Sequence, residues 1–153
     1  MNGEPVRIDD FPVVIKMDVL WGDMDYMRHV NNARFFRYME SARIAYLEQV
    51  GLPAIWDEHG IGPIMAKASC DFIKPVHYPD VLQVGCRTVR LSKTELDHQF
   101  AIHSEKLNAI AAIGTGLIVC YDYAKAQRAK LPETVVQRIL EMEKALKLDA
   151  SGR

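Results

Sequence analysis

The sequence predicts an α+β fold in which one long helix lies against an antiparallel β-sheet and a second helix follows near the C-terminus. Two observations support this prediction. Several apolar stretches with strand character follow one another without an intervening helical segment, and consecutive strands joined by short turns indicate antiparallel pairing. Before them, one stretch has a helical period over about four turns, which predicts a single long helix.

The first strand and the long helix lie in the N-terminal third. The stretch "VVIKMDVLW", Val13 to Trp21, is β-branched and roughly alternating, so it predicts a strand. Asn31 or Asn32 can cap the helix that follows, and Gly51 with Pro53 predicts its end. Within it, apolar residues recur at a spacing that places them on one face; they are Phe35, Met39, Ala42, Tyr46 and Val50.

Four strands and a final helix complete the predicted fold. The first of these strands, which Pro75 closes, alternates so that one face carries Ile64, Ala66, Ala68, Cys70 and Phe72. Next come "VLQVGCRTVRLS", "LDHQFAIHSE" and "AIAAIGTGLIVCYDY". The last is apolar on both faces, as expected of a central strand, and its two glycines predict close approach of the helix or of another subunit. A helix is expected to start near Pro132, with one face made by Val135, Ile139, Met142 and Leu146.

Composition limits the classes of protein that the chain can represent. Its 153 residues predict one domain, 1–153, with a core at about 13–132. A net charge of −1 gives no general attraction for nucleic acid or anionic membranes, so we expect neither as a partner. Three scattered cysteines favour reduced thiols, and the N-terminus lacks the apolar core of a signal peptide. No apolar run is long enough for a membrane span, and a cytoplasmic protein is expected.

The stretch "WGDMDYMRHVNNA" places two aspartates and a histidine between the first strand and the helix. A phosphatase of the haloacid dehalogenase type would need a later lysine, a magnesium-binding acidic pair and βαβ units. The sequence contains no GDxxxD-like stretch for that pair, and its order of elements lacks the βαβ units. A calcium loop of the EF-hand type fails at Met27, Arg28 and Arg34. Zinc bound by Asp23, Asp25 and His29 remains conceivable, although no second histidine or cysteine lies nearby in the sequence.

The start of the helix suggests a third kind of chemistry. Backbone N–H groups near Asn32 form the unsatisfied helix N-terminus, and these amides with the helix dipole favour the oxyanion that develops in acyl transfer. A carboxylate on the loop that leads into the helix can reach the same point. Such an arrangement is suited to thioester hydrolysis.

The residues themselves carry a resemblance to a known family. "WGDMDYMRHVNNARFFRYMESAR" closely resembles the signature of hotdog-fold acyl-CoA thioesterases of the 4-hydroxybenzoyl-CoA thioesterase type. The likeness continues through "GIGPIMAKASCDFIKPVHYPDVLQVGCRTVRL" and spans Val13 to about Pro132. It implies the hotdog fold, an acyl-CoA substrate and no cofactor beyond the coenzyme A of that substrate.

The resemblance also implies roles for individual residues. The family's catalytic aspartate falls on Asp25, and the amide that polarises the thioester carbonyl falls on Asn32. His29 and Asn31 are expected near the substrate, His29 mainly as a hydrogen bonder at the strand–helix junction and Asn31 as a cap. Several relatives carry glycine where this chain has Arg28, and this departure concerns the shape of the loop.

Other charged residues are weaker candidates for the site. Asp23 is interpreted as a hydrogen-bond acceptor of the loop. Glu40 matches the helix carboxylate that some hotdog thioesterases use, but Arg43 offers it an ordinary ion pair. By the same resemblance, basic residues before Pro132 contact the phosphates of coenzyme A. These are expected to be Arg128 and Lys130, ahead of Arg87 and Arg90, while His77 and Tyr78 are interpreted as turn residues.

The expected activity is hydrolysis of acyl-CoA to a carboxylic acid and coenzyme A. Asp25 would act as nucleophile or general base, and no metal is expected. Exposed sheet edges predict a homodimer or homotetramer, and the family places its active site between subunits. Two alternatives remain open at this point: a non-catalytic acyl-CoA binding protein, and a hotdog hydratase or dehydratase, whose histidine–acid pattern Asp25 and His29 do not reproduce.

Overall fold

A computed structural model describes residues 3–150, so the ends of the predicted domain, 1–2 and 151–153, lie outside the described residues. Two short 3₁₀ turns, Ile8–Asp10 and Trp21–Asp23, flank the first strand. The helices are α1 (Asn32–Gln49), α2 (Leu52–His59) and α3 (Glu133–Met142). The strands are β1 (Val13–Asp18), β2 (Ile61–Phe72), β3 (Val81–Ser92), β4 (Glu95–Ser104), β5 (Ala109–Asp122), β6 (Gln127–Arg128) and β7 (Leu148–Asp149).

The predicted antiparallel sheet is confirmed. Its five long strands lie in the order β1-β3-β4-β5-β2, and every neighbouring pair in that order is antiparallel. The two-residue strand β6 pairs antiparallel with the end of β5, and β7 pairs in parallel with β3. Strand β2 precedes β3 in the chain but pairs with β5. It is therefore the last strand in this order and forms one outer edge of the sheet.

The long helix α1 forms where the sequence predicts it. Of the two candidate caps, Asn31 serves, since its side-chain oxygen accepts a hydrogen bond from the Ala33 N–H at 2.9 Å. The helix ends at Gln49, and Gly51 follows with φ 82°, a conformation that glycine adopts without steric cost. The five apolar residues of the predicted face are all buried against the sheet.

A buried polar network fixes the middle of α1 to two other elements. The Tyr46 hydroxyl donates to Glu143 at 3.0 Å and accepts from the Thr88 hydroxyl at 2.7 Å. The same Glu143 oxygen accepts from the Thr88 N–H at 2.8 Å, so α1, β3 and the end of α3 share one carboxylate. Burial raises the pKa of Glu143 above its usual range.

Of the two glycines of β5, Gly114 allows the helix to approach the sheet closely, as expected. A Cβ on Gly114 would collide with the Met39 sulfur, and one on Gly116 would lie 3.1 Å from Met65 Cε and 3.3 Å from Phe100. The backbone of β5 therefore faces side chains from α1, β2 and β4 at short range. This contact decides how much space remains between the helix and the sheet.

Several predicted boundaries were wrong. The first strand ends at Asp18 rather than Trp21, because the chain turns into the 3₁₀ segment that leads to the aspartate loop. Helix α2 was not predicted: Pro53 lies in its first turn, where proline is tolerated, instead of ending the preceding helix. Helix α3 ends at Met142, so Leu146 lies beyond it, although it still packs against the core.

The alternation predicted for β2 also fails at one point. A register shift between Met65 and Lys67 places an extra residue, Ala66, in the strand. Met65 rather than Ala66 therefore lines a cavity together with Ala68. Among residues 3–150, no helix is long and apolar enough to cross a membrane.

Candidate active site

The aspartate loop folds back on itself before α1 begins. The N–H of Asn31 donates to the Asp23 carbonyl at 2.9 Å, and that of Asp25 donates to the His29 carbonyl at 3.0 Å. A turn at the tip is closed by the Arg28 N–H, 2.9 Å from the Asp25 carbonyl. Asp25 therefore lies only two positions along this narrow ladder, about 7 Å, from the residue that caps the helix.

Arg28 adopts the backbone conformation that a glycine would favour at this position. Its φ is 60°, in the left-handed region, and its carbonyl accepts a hydrogen bond from His77 Nδ1 at 2.9 Å. The His77 and His29 rings also pack nearly perpendicular to each other, with centroids 4.7 Å apart. His77, interpreted from sequence as a turn residue, thus connects the segment between β2 and β3 to the aspartate loop.

Asp23 is a buried structural carboxylate, only 7% exposed. One of its oxygens accepts from the Leu20 N–H at 2.9 Å and from the Tyr38 hydroxyl at 2.8 Å, and the other lies 3.6 Å from Arg34. Burial and then the Asp23 hydrogen bond raise the pKa of Tyr38, so the phenol remains a donor. These contacts agree with the interpretation of Asp23 as a hydrogen-bond acceptor of the loop.

Asp25 differs from Asp23 in being exposed to solvent. Its Oδ1 accepts from the Met27 N–H at 2.9 Å, which fixes the side chain on the loop. The carboxylate lines an open cavity of about 610 Å³ with Trp21, Tyr26 and Arg28. Large apolar side chains surround it while facing solvent, Tyr26 at 97% and Trp21 at 72% exposure.

Asn32 is the first residue of α1, as the proposed role of its amide requires. First-turn N–H groups have no acceptor within their helix, and among the described residues the Asn32 N–H donates to none outside it. Asn32 and His29 line a second cavity, of about 230 Å³, that extends to Phe72 and Val76. Within one chain, Asn32 and Asp25 thus occupy the same end of α1 but face different cavities.

The basic residues expected near coenzyme A lie at the other end of the sheet. Arg128 pairs with Tyr121 near the end of β5. Ala111, near the start of the same strand, accepts backbone hydrogen bonds from the segment that lines the Asn32 cavity. Ten residues of strand separate the two points, roughly 33 Å. Arg128 forms an ion pair with Glu95 at 3.2 Å, and Lys130 is exposed. A single chain does not bring these residues to Asp25.

The weaker candidates have other partners. Arg90 is bound by Asp97 at 2.7 Å and Glu95 at 2.8 Å, and Arg87 donates to Gln99 at 2.8 Å. Within the described part of the chain, no three histidine, cysteine or acidic side chains are grouped closely enough to hold a metal ion.

Glu40 has the expected ion pair with Arg43, at 3.7 Å, and a closer one with Arg37 at 2.9 Å. Both Glu40 and Arg43 line a cavity between α1 and the sheet. Helix spacing predicts Arg43 only as the ion-pair partner of Glu40. Its position in this cavity depends on contacts with β2, β4 and β5, which helix spacing alone does not reveal.

Comparison with known proteins identifies the class to which this fold and site belong. Residues 19–139 match the thioesterase-like superfamily. A thioesterase from Thermus thermophilus, solved with coenzyme A and zinc, is 33% identical, with a TM-score of 0.77 over 88% of this chain and 96% of that one. A Pseudomonas aeruginosa protein described as a "putative thioesterase" is 26% identical, with a TM-score of 0.76 over 84% and 98%.

A curated relative points to the same class. A protein of Aquifex aeolicus described as a "putative esterase" is 27% identical over 105 residues, 68% of this chain and 81% of its own length. The chain belongs to the thioesterase-like superfamily. The hotdog fold and the enzyme class expected from the sequence, a thioesterase, are confirmed.

Proposed function

We propose that this protein is a cytoplasmic acyl-CoA thioesterase of the 4-hydroxybenzoyl-CoA type, with Asp25 as its catalytic carboxylate. The observation that carries the proposal is the placement of an exposed aspartate on a loop hydrogen-bonded to the open N-terminus of α1. Asp23, the other carboxylate of the loop, is already engaged by three partners. Of the two loop aspartates, Asp25 is the one whose carboxylate is exposed and lines an open cavity, where it can meet a substrate.

Two chemical routes fit this arrangement. The Asp25 carboxylate can attack the thioester carbonyl, expel the coenzyme A thiolate and form a mixed anhydride that water then hydrolyses. Alternatively it can take a proton from a water that attacks the carbonyl directly. Negative charge grows on the carbonyl oxygen in both routes, and the Asn32 N–H is the proposed donor to that oxygen.

The active site is proposed to form between two copies of the chain. Strand β2 is one of the two outer strands in the order of the five long strands, and four consecutive residues along it are exposed: Ala66, Lys67, Ala68 and Ser69. Antiparallel pairing of two β2 strands about this run would bring Phe72, beside the Asn32 cavity, opposite residue 63 of the second copy. The exposed apolar residues around Asp25 also indicate that a second copy of the chain covers this surface.

The same pairing would bring the distant basic residues into reach. The start of β2 is next to the end of β5, where Ile61 pairs with Asp122 and Asp122 pairs with Gln127. Arg128 of the second copy would then lie only about two strand spacings, roughly 10 Å, from its own β2 edge. Arg128 and Lys130 are therefore proposed to bind coenzyme A phosphates at a site whose Asp25 belongs to the other copy, in a homodimer or homotetramer.

We expect the purified chain to hydrolyse acyl-CoA thioesters without added metal or nucleotide. The proposed chemistry needs only a carboxylate, a backbone amide and water. Release of free thiol from a panel of aromatic and aliphatic acyl-CoA substrates measures the activity. Loss of activity in EDTA with recovery on addition of zinc would contradict the proposed route, and tight binding without turnover would indicate a non-catalytic acyl-CoA binding protein.

Replacing Arg128 and Lys130 together by alanine is expected to raise KM for acyl-CoA while leaving kcat nearly unchanged. Phosphates far from the reacting carbon contribute uniform binding, so their loss appears in KM. Acyl-pantetheine thioesters, which lack those phosphates, should show little change. Lys144→Ala serves as a charge control because it lies near Arg87, at another part of the sheet. Equal losses for both substrate types would place these residues outside the phosphate site.

A further inference from the structure

A small cavity of about 210 Å³ lies between the middle of α1 and the sheet. Its walls are mostly apolar, and Phe36, Met39, Met65 and Phe100 supply the large side chains. Two charged residues of α1, Glu40 and Arg43, also line it. A cavity of about 150 Å³ can hold a benzene molecule, so this one has room for a single ring with a small substituent.

The cavity depends on the two glycines of β5. Gly114 and Gly116 face Met39, Met65 and Phe100 so closely that a Cβ at either position would press on these cavity walls. The absence of side chains at these two positions makes room for the side chains of Met39, Met65 and Phe100, which form the walls of the cavity. The cavity is therefore formed by the helix–sheet contact, and it opens to solvent beside Ala68 and Thr115, which are exposed.

Arg43 has fewer partners than its burial would lead one to expect. Its side chain is only 17% exposed, and its single ion pair within the described part of the chain, with Glu40, spans 3.7 Å. Glu40 makes its shorter contact, 2.9 Å, with the exposed Arg37. Among residues 3–150, Arg43 donates no hydrogen bond, although a guanidinium carries five N–H donors. Among the described residues, the buried side-chain nitrogens without a hydrogen-bond partner do not include any of Arg43. The guanidinium is therefore accessible from the cavity.

We propose that Arg43 is a specificity-determining residue that binds an oxygen acceptor, such as a carboxylate or a phenolic oxygen, at the distal end of a compact acyl group held in this cavity. The apolar walls would hold the body of the acyl group, and the guanidinium would supply the hydrogen bonds that its present neighbours leave unmade.

This inference rests on the proposed function, because the cavity must receive the acyl group of a thioester. In one chain, Glu40 is eight residues along α1 from Asn32, about 12 Å. In the proposed pair of chains, Met65 in the cavity wall would lie opposite residue 70 of the second copy, two residues before the Phe72 that borders that copy's Asn32 cavity. The reacting end of α1 in one copy is thereby placed near the acyl cavity of the other.

The test compares matched acyl-CoA substrates that differ only in the distal acceptor. Benzoyl-CoA is paired with 4-carboxybenzoyl-CoA and with 4-hydroxybenzoyl-CoA, and hexanoyl-CoA with its terminal carboxylate analogue. We expect the wild-type chain to prefer at least one acceptor-bearing member by about tenfold or more in kcat/KM, the size expected for one charge-assisted hydrogen bond. In Arg43→Met, the ratio within each pair should fall to about one, and Arg43→Lys should restore part of the preference.

Arg37→Met is the matched control, since Arg37 also contacts Glu40 but is 71% exposed and does not line the cavity. It should retain the wild-type ratio. A preference that survives Arg43→Met, or that Arg37→Met removes equally, overturns the inference. Binding of non-hydrolysable thioether analogues is measured in parallel. If no thioester is hydrolysed, the proposed function fails, whereas hydrolysis without any preference between paired members overturns only the role of Arg43.

Discussion

Replacing Asp25 by asparagine is expected to lower kcat by at least about 100-fold, in the range for loss of a nucleophile or general base. Asparagine has nearly the same size, and its side-chain oxygen can still accept the Met27 N–H that Asp25 accepts at 2.9 Å. The loop should therefore keep its shape while losing the negative charge that both routes require. Measurement of kcat with a saturating acyl-CoA, together with an unchanged melting temperature, checks this result.

Asp23→Asn is the matched control for this experiment, because it makes the same chemical change two residues away. One Asp23 oxygen accepts from both the Leu20 N–H and the Tyr38 hydroxyl, inside the protein. The substitution is expected to cost about 1–3 kcal/mol of stability and far less activity than Asp25→Asn. Asn32→Ala should be mild as well, since the proposed donor is a backbone N–H. An inactive Asp23→Asn beside an active Asp25→Asn would reverse the two assignments.

Glu40→Gln distinguishes the remaining carboxylate mechanism. If both aspartate variants kept their activity while Glu40→Gln lost it, the helix carboxylate would be the catalyst. Its ion pairs with Arg37 and Arg43 favour a structural role, so we expect Glu40→Gln to retain most activity.

The second large effect concerns the buried imidazole of His98. Burial, with a smaller contribution from Arg43, lowers the pKa of His98 from 6.5 to about 3. The ring lies between Tyr46 and Phe100, at centroid distances of 4.8 and 5.8 Å, and both ring nitrogens lack a hydrogen-bond partner among the described residues. The folded chain therefore keeps His98 neutral under conditions in which the unfolded chain would protonate it.

The sign of the pH dependence follows from this depressed pKa. Below pH 6.5 the unfolded state binds a proton that the folded state does not, so stability falls as the pH decreases from 6.5 toward about 3. The slope from this one group approaches about 1.4 kcal/mol per pH unit. Above pH 6.5 both states are neutral at His98, and its contribution is constant.

His98→Leu and His98→Gln are expected to remove this component. Urea unfolding at pH 7, 5 and 4 measures the free energy of unfolding of each variant and of the wild type. The loss between pH 7 and pH 4 should be smaller in both variants than in the wild type, whatever their stability at pH 7. His103→Gln is the control, because His103 is another histidine of β4 but is only partly buried. Parallel pH curves for wild type and His98 variants would contradict the prediction.

The sequence alone determined the elements whose signals are local. Asn31 caps α1 through an amide two residues away, and the apolar face of that helix repeats within each turn. The strands are predicted from signals that are local in the same way, namely β-branched residues and alternation along the segment. The local signal at Pro53 is ambiguous, because proline is common both just after a helix and in the first turn of a new one. Here α1 ends just before Gly51, which adopts the left-handed conformation, and Pro53 lies in the first turn of α2. The bulge at Ala66 also has no local signature, because the register of β2 is set by β5.

The candidate site divides in the same way. The aspartate loop could be recognised from its residues because they are contiguous, and Asn32 follows Asp25 by seven positions. Tertiary contacts determine which of the two aspartates is buried. The Leu20 N–H and the Tyr38 hydroxyl donate hydrogen bonds to Asp23, which is buried, whereas Asp25 is exposed. The cavity that Arg43 lines depends on even more distant partners, since Met65, Phe100 and Thr115 come from three different strands that pack together beside α1. Side-chain packing between segments far apart in sequence determines such features, and spacing along the chain does not encode them.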